Sequence, residues 1–239
     1  MTRLFVDFYV KDNITLSGED ARYISKVLRM KTGEEIDIVD KDSKTYRTRI
    51  SSISTDEVFL EVESEIEESG EPRSRITLYQ SVSKGERMDL TIQKSVELGV
   101  FRIVPVISER VIVKGDSIND NKIKRWSKIA LEAARQSRRS IVPEVTEAKN
   151  FKDALKEAEA YDLAIIPWED EKGTTIKEII KDREFKDIAV FIGPEGGFEE
   201  AEAKAAGDMG IIPVSLGPRI LRTETAGPAV LAMLTYEEL

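Results

Sequence analysis

The sequence predicts an α/β protein in two parts: a small β-barrel, then a larger α/β domain with a mostly parallel sheet. Three observations predict it. Across about 70 residues at the start, short apolar runs are broken by a single helical stretch. The segment Glu67–Pro72 is polar and acidic and holds both a Gly and a Pro, the composition of a linker. Beyond it, apolar runs alternate with segments of helical periodicity to the C-terminus. Domains at 1–71 and 72–239 follow.

In the first part, Leu4–Phe8, Ile36–Val39 and Val58–Val62 read as strands, and Thr45–Ile53 as a more polar one. Glu19–Met30 reads as a helix with Ile24, Val27 and Leu28 on one face, ended by Gly33. In the second part, Ile76–Val82 is a strand, Arg87–Leu98 a helix closed by Gly99, and Arg102–Ile107 the next strand. Asn119–Arg138 places Ile123, Trp126, Ile129, Ala130 and Ala133 at helical spacing. Leu163–Ile166, Ala189–Ile192 and Val214–Leu216 are short apolar runs, each followed by a helical segment.

Composition excludes several chemistries. The 239 residues include no His and no Cys, so thiol nucleophiles, imidazole bases, disulfides and ordinary zinc sites are ruled out, and no metal is expected. Acid–base work falls to Asp, Glu, Lys, Tyr or the substrate. No apolar run approaches the ~20 residues that span a bilayer, and the N-terminus lacks a signal-peptide core, so a cytoplasmic protein is expected. Net charge is −9, which speaks against an unspecific nucleic-acid coat. The distribution is uneven: residues 54–72 carry eight acids and no base, whereas 122–139 carry seven bases against Glu132. A basic face on an acidic protein follows.

Two turns carry chemistry, both at the carboxyl ends of strands, where open α/β sheets bind ligands. Gly193-Pro194-Glu195-Gly196-Gly197 follows the strand Ala189–Ile192 and precedes a helix whose first turns hold Glu199, Glu200 and Glu202. Those carboxylates and Glu195 would repel a phosphate and favour a cationic ligand. Taken alone, the turn reads first as an ordinary strand–helix connection with a complemented dipole. The second turn, Ser215–Ala226, runs through Gly217-Pro218 to an apolar pair flanked by arginines. Thr223 or Thr225 would cap the last helix, Thr225 placing Pro228 in its first turn. Leu216, Ile220 and Leu221 are candidates for an adenine pocket, or else plain core. Glu224 is a candidate base or a helix-terminal carboxylate, and Arg222 or Arg219 a candidate anion stabiliser.

Together the turns are specific. Ile-Gly-Pro-Glu-Gly-Gly-Phe followed, about 20 residues on, by Ser-Leu-Gly-Pro-Arg-Ile-Leu-Arg-Thr-Glu-Thr-Ala resembles the SPOUT superfamily of knotted methyltransferases. Within it the chain is similar to the RsmE family, which methylates N3 of a uridine in small-subunit (16S) ribosomal RNA. Val27-Leu28-Arg29 with Gly33, Gln80 with Lys84-Gly85 and Arg87-Met88, Lys94-x-x-Glu97-Leu98-Gly99-Val100 and Ala133-Ala134-Arg135-Gln136-Ser137-x-Arg139 extend the match over essentially the whole chain. Family members often carry His where this chain has Arg22-Tyr23, and Glu where it has Arg135.

The resemblance implies a PUA-like β-barrel that binds RNA, a SPOUT domain with a C-terminal trefoil knot, and a homodimer acting on ribosomal RNA or a ribosomal particle. It implies S-adenosyl-L-methionine bound by Ile192, Gly193, Glu195, Gly196, Gly197, Leu216, Gly217, Ile220, Leu221, Arg222, Thr225 and Ala226. Glu224 and Arg222 would be catalytic. Arg22, Lys26 and Arg29, at helical spacing, and Lys84 and Arg87, after a strand, are the expected RNA contacts. Arg138 and Arg139 are expected only to complement a helix end. Another SPOUT methylation, at ribose 2′-oxygen or a purine nitrogen, and a non-catalytic RNA-binding assembly factor are the other readings.

Overall fold

The computed structural model describes residues 2–67, 70–112 and 118–236. The chain divides into two compact units, 1–71 with 134–141, and 72–133 with 142–239.

In the first unit, β1 (Arg3–Phe5), β2 (Ile14–Ser17), β3 (Glu35–Val39), β4 (Thr45–Ile53) and β5 (Glu57–Ile66) form a sheet in the order β1-β3-β4-β5-β2. The expected barrel is therefore a five-stranded sheet whose hydrogen-bonded ladder stays open between β1 and β2 among the described residues. Two register shifts in the β4–β5 pair, at Arg47/Thr48 and Ile50/Ser52, are where such long strands bend. Leu4, Ile14, Leu16, Ile36, Ile38, Ile50, Val58 and Leu60 bury one face. β2 is missing from the sequence reading because its alternation, Ile14 and Leu16 in, Thr15 and Ser17 out, spans only four residues. β1 is shorter than expected: Val6 still donates to the Val39 carbonyl at 2.9 Å, but Asp7, Phe8 and Tyr9 leave the sheet.

The expected helix Glu19–Met30 is corrected. Helix α1 (Gly18–Arg22) passes into a π-helical turn, Tyr23–Val27, where Leu28 N donates to Tyr23 O at 2.9 Å. The wider turn rotates the periodicity, so Ile24 is buried while Val27 is 65% exposed. The chain leaves it through Arg29, at φ 55°, before Gly33 is reached. The linker candidate Glu67–Pro72, of which Glu68 and Ser69 lie outside the described residues, contains the boundary between the two units, and its Glu71 is anchored within the first. The Glu71 carboxylate accepts from the amides of Ser140 at 2.9 Å and Ile141 at 3.2 Å, and from Arg139 Nε at 3.0 Å. Arg139 is buried in this ion pair, not spread over a helix end. Arg135 lies 4.4 Å over the Tyr23 ring, so the two departures from the family pattern pack on each other.

The second unit holds a seven-stranded sheet, all its ladders parallel. Its order is β12-β10-β11-β6-β7-β8, with β9 also on β7. The strands are β6 (Arg75–Ser81), β7 (Arg102–Ile107), β8 (Glu144–Val145), β9 (Lys149–Asn150), β10 (Leu163–Pro167), β11 (Asp187–Ile192) and β12 (Ile212–Val214). Helices α2 (Arg87–Glu97), α3 (Asp120–Gln136), α4 (Phe151–Ala158), α5 (Ile176–Ile180), α6 (Glu200–Asp208) and α7 (Thr223–Tyr236) intervene or follow. The last strand lies two residues earlier than Val214–Leu216, because an edge strand tolerates Pro213. Of the seven bases of 122–139, Lys124, Arg125, Lys128 and Arg138 are exposed. Arg125 pairs with Asp89, and Arg135 and Arg139 are buried. Trp126, the largest fully buried side chain, anchors α3 by donating to Asp89 at 3.2 Å.

Candidate functional site

The carboxyl ends of β10, β11 and β12 open onto one cavity of about 1030 Å³. The turn after β11 supplies Ile192, Gly193, Glu195, Gly196, Gly197 and Phe198 to its wall, and the turn after β12 supplies Leu216, Gly217, Arg219, Ile220, Leu221, Arg222, Glu224 and Ala226. The two segments singled out in the sequence are thus brought together. Thr225 is not: it is exposed and outside the lining. Helix α7 begins at Thr223, so Thr225 lies within it, and Pro228 falls beyond the first turn rather than in it.

One hydroxyl ties the turns. Thr223 donates to the Gly193 carbonyl at 2.6 Å and accepts from Nε2 of Gln80, a fully buried side chain on β6, at 2.9 Å. Among the described residues Gln80 Oε1 has no hydrogen-bond partner, and it faces Gly227, where an added Cβ would stand 3.3 Å from it and 3.4 Å from Leu78. Glycine there lets α7 lie directly on β6. A Cβ at Gly193 would meet Phe198 N at 3.2 Å, so the turn folds back on itself only because that residue is glycine.

The electrostatics differ from the sequence argument. Glu195 accepts from Arg87 at 2.7 Å and from the Lys84 amide at 3.0 Å. Partial burial works to raise its carboxyl pKa, but those hydrogen bonds and the Arg87 charge outweigh it and hold the pKa below the usual value. Glu199 caps α6, its side chain bonding the third helical amide while Glu202 accepts from Glu199 N at 2.9 Å. The acids do not therefore await a cation. A phosphate is disfavoured for another reason: the helix start that would cradle it is already capped. Four acids (Glu169, Glu171, Glu195, Glu224) and four bases (Arg87, Lys172, Arg219, Arg222) line the cavity, which is close to balanced.

Glu224 sits between two guanidinium groups, 3.9 Å from Arg87 Nε and 4.0 Å from Arg222 Nη1, with its side chain 13% exposed. Arg222 is 82% exposed, and Ile220 projects into solvent, so the outer wall is open to a second ligand. Arg87, expected only as a phosphate contact, is part of this cluster. Lys84, Arg22, Lys26 and Arg29 are exposed. Arg22 pairs with Asp56 at 3.2 Å, and the π-turn breaks the regular spacing that linked it to Lys26 and Arg29. Sequence reasoning missed the end of β10, where Pro167, Trp168, Glu169 and Glu171 complete the wall. The Trp-Glu pair directly after an apolar strand was the available signal. Among the described residues, no group of three or more His, Cys, Asp or Glu is placed to hold a metal, and no helix is long and apolar enough to cross a membrane.

A parallel α/β sheet with this two-turn cavity, preceded by a small β-sheet unit, defines an RNA methyltransferase. The RNA methyltransferase domain family matches residues 70–235, and the RNA methyltransferase PUA domain family matches 16–63. The chain belongs to the family of ribosomal RNA small subunit methyltransferase E. It is 36% identical over 233 residues to that protein from Buchnera aphidicola (subsp. Acyrthosiphon pisum), covering 95% of this chain and 91% of the relative. It is 31% identical to the Bacillus subtilis protein, covering 93% and 90%. The crystal structure of the Neisseria gonorrhoeae protein bound to S-adenosyl methionine superposes with a TM-score of 0.89 at 33% identity, covering 99% of this chain and 98% of that one.

Proposed function

We propose that this chain transfers a methyl group from S-adenosylmethionine to N3 of a uridine in small-subunit ribosomal RNA, in the cytoplasm. The observation that carries the reading is the cavity beyond β10–β12, where a glycine-rich turn, an apolar wall and a carboxylate held between two guanidinium groups face one space. The donor fits that space. It carries a carboxylate, an ammonium and a sulfonium, which a balanced lining accepts, and an adenine suited to Ile192, Leu216 and Leu221. Glu169 and Lys172 lie on the same wall as partners for its charged end.

When bound, the donor supplies an electrophilic methyl group. The chain's own residues then have two tasks. Glu224 takes the N3 proton, and Arg222, 4.0 Å from it on the exposed wall, stabilises charge on the uracil carbonyl oxygens. Arg87 holds the inner side of the Glu224 carboxylate. Methylation at C5 ordinarily needs a thiol to activate the ring, and the chain has none.

Around this centre we place residues 1–71 as the RNA-docking domain, through Arg22, Lys26 and Arg29, and 72–239 as the catalytic domain, with Lys84 and Arg87 toward substrate phosphate. A ribosomal particle is as suitable a substrate as free RNA. A C-terminal trefoil knot in the second domain is proposed on the family resemblance of the two turns, which Thr223 joins through its bond to the Gly193 carbonyl. A homodimer would cover Met233 and Tyr236 of α7, which are 42% and 72% exposed.

The test is cofactor linkage. S-adenosylmethionine at about 100 times its Kd should stabilise the protein by about 2.7 kcal/mol and raise the melting temperature accordingly. Leu221→Asp and Gly196→Val should melt as wild type without ligand and lose that shift. An undiminished shift in both variants would remove the two turns as the donor site.

A further inference from the structure

We propose that Arg110, on the loop after β7, is a positioning residue that holds the glycine-rich turn in its donor-binding form. The inference rests on the reading above that Gly193–Gly197 binds S-adenosylmethionine. An arginine on an exposed loop of an RNA-modifying protein would ordinarily be read as a phosphate contact. The geometry commits it elsewhere. Arg110 Nη1 donates to the Gly196 carbonyl at 2.8 Å, and its Nε lies 3.4 Å from Glu199 Oε1. One planar fork thus grips both the turn and the cap of α6. The stem lies along the turn as well: a Cβ on Gly196 would stand 3.4 Å from Arg110 Cδ and 3.5 Å from its Cβ. The preceding residue reinforces the grip, Glu109 N donating to Glu202 Oε1 at 2.9 Å.

The need for such a clamp follows from the turn's composition. Three of its five residues are glycine, the residue that loses most backbone freedom on ordering. Left unrestrained, the turn would be ordered at the expense of ligand affinity. Restraint from outside the cavity removes that cost before the donor arrives, which is preorganisation. Arg110 does not itself line the cavity. Its effect should therefore appear in donor affinity and not in the chemical step.

Arg110→Ala and Arg110→Lys distinguish the roles, with S-adenosylmethionine binding measured by calorimetry and unmodified small-subunit RNA binding measured across salt concentrations. Lysine keeps the charge but lacks the fork. Both variants should bind S-adenosylmethionine about tenfold more weakly and show a raised KM for it, with kcat at saturation unchanged. RNA affinity and its salt slope should stay at the wild-type value. The ligand-free melting temperature should move by no more than about 4 °C; if alanine lowers it further, the lysine variant carries the comparison. Wild-type donor affinity in both variants, or a salt slope reduced by about one in Arg110→Ala, would overturn the proposal in favour of a phosphate contact. A wild-type protein that binds no S-adenosylmethionine would overturn the proposed function and this inference with it.

Discussion

Replacing Thr223 with Val tests the joint on which the site is built. Valine matches threonine in shape but removes an O–H that donates to Gly193 O at 2.6 Å and an oxygen that accepts from Gln80 Nε2 at 2.9 Å. Gln80 is fully buried and Thr223 nearly so, so no water can take over both roles. Leaving a buried donor or acceptor unmade costs about 1–3 kcal/mol, and with Gly193 only partly buried the two losses should total about 2–4 kcal/mol. For a chain of this size that lowers the melting temperature by roughly 5–15 °C. Thr223→Ser keeps the hydroxyl and should cost only about 1 kcal/mol, the worth of a buried methyl. Gln80→Leu removes the other partner together with an oxygen that is already unpaired. Combined with Thr223→Val it should fall short of additivity by about 1 kcal/mol in urea unfolding. Equal, small effects of Val and Ser, or an additive double variant, would show that the hydroxyl does not hold the turns together.

Three further outcomes follow from the same geometry. Glu224→Gln should bind S-adenosylmethionine normally yet transfer methyl about 10²–10⁴-fold more slowly, with partial rescue at higher pH as solvent removes the N3 proton; full activity at neutral pH would make Glu224 only a helix-terminal charge. Arg222→Ala should be slow without such rescue, because it lacks an anion stabiliser and not a base, and a pH-rescued rate would reverse that assignment. Replacing Arg22, Lys26 and Arg29 together should weaken RNA binding and flatten its salt dependence while leaving donor affinity unchanged, whereas an unaltered salt slope would take RNA off this face.

What the sequence made legible was the part governed by local chemistry. The parallel sheet emerged from apolar runs such as Arg102–Ile107, observed at those same bounds, and both turns of the cavity were identified from glycine, proline and charge at strand ends. Local rules failed where tertiary pairing decided the outcome. Tyr23–Val27 has helical composition, yet a π-turn exposes Val27. The apolar run Val214–Leu216 places the last strand two residues late, because an edge strand has no use for the amide that Pro213 lacks. Arg139 reads as a surface charge because its partner, Glu71, lies 68 residues away. Helix α4 carried a readable cap, Asn150 accepting from Asp153 N at 2.9 Å, that the apolar pattern alone did not reveal. In the site, the acids after β11 suggested a cationic ligand because Arg87, which holds Glu195, comes from a contact no spacing predicts, whereas the Glu199–Glu202 capping box was readable at its i, i+3 spacing. Gln80 was visible only as part of a family motif; its task became clear once β6 and α7 were adjacent.

N3 of a uridine is the atom that this cavity is proposed to methylate. The most direct test is to incubate the protein with methyl-labelled S-adenosylmethionine and small-subunit ribosomal RNA lacking the modification, then digest the RNA to nucleosides and separate them. The label should co-migrate with 3-methyluridine, and in Glu224→Gln its incorporation should fall by the same factor as the rate. Label in a ribose-methylated nucleoside, a methylated purine or 5-methyluridine would contradict it.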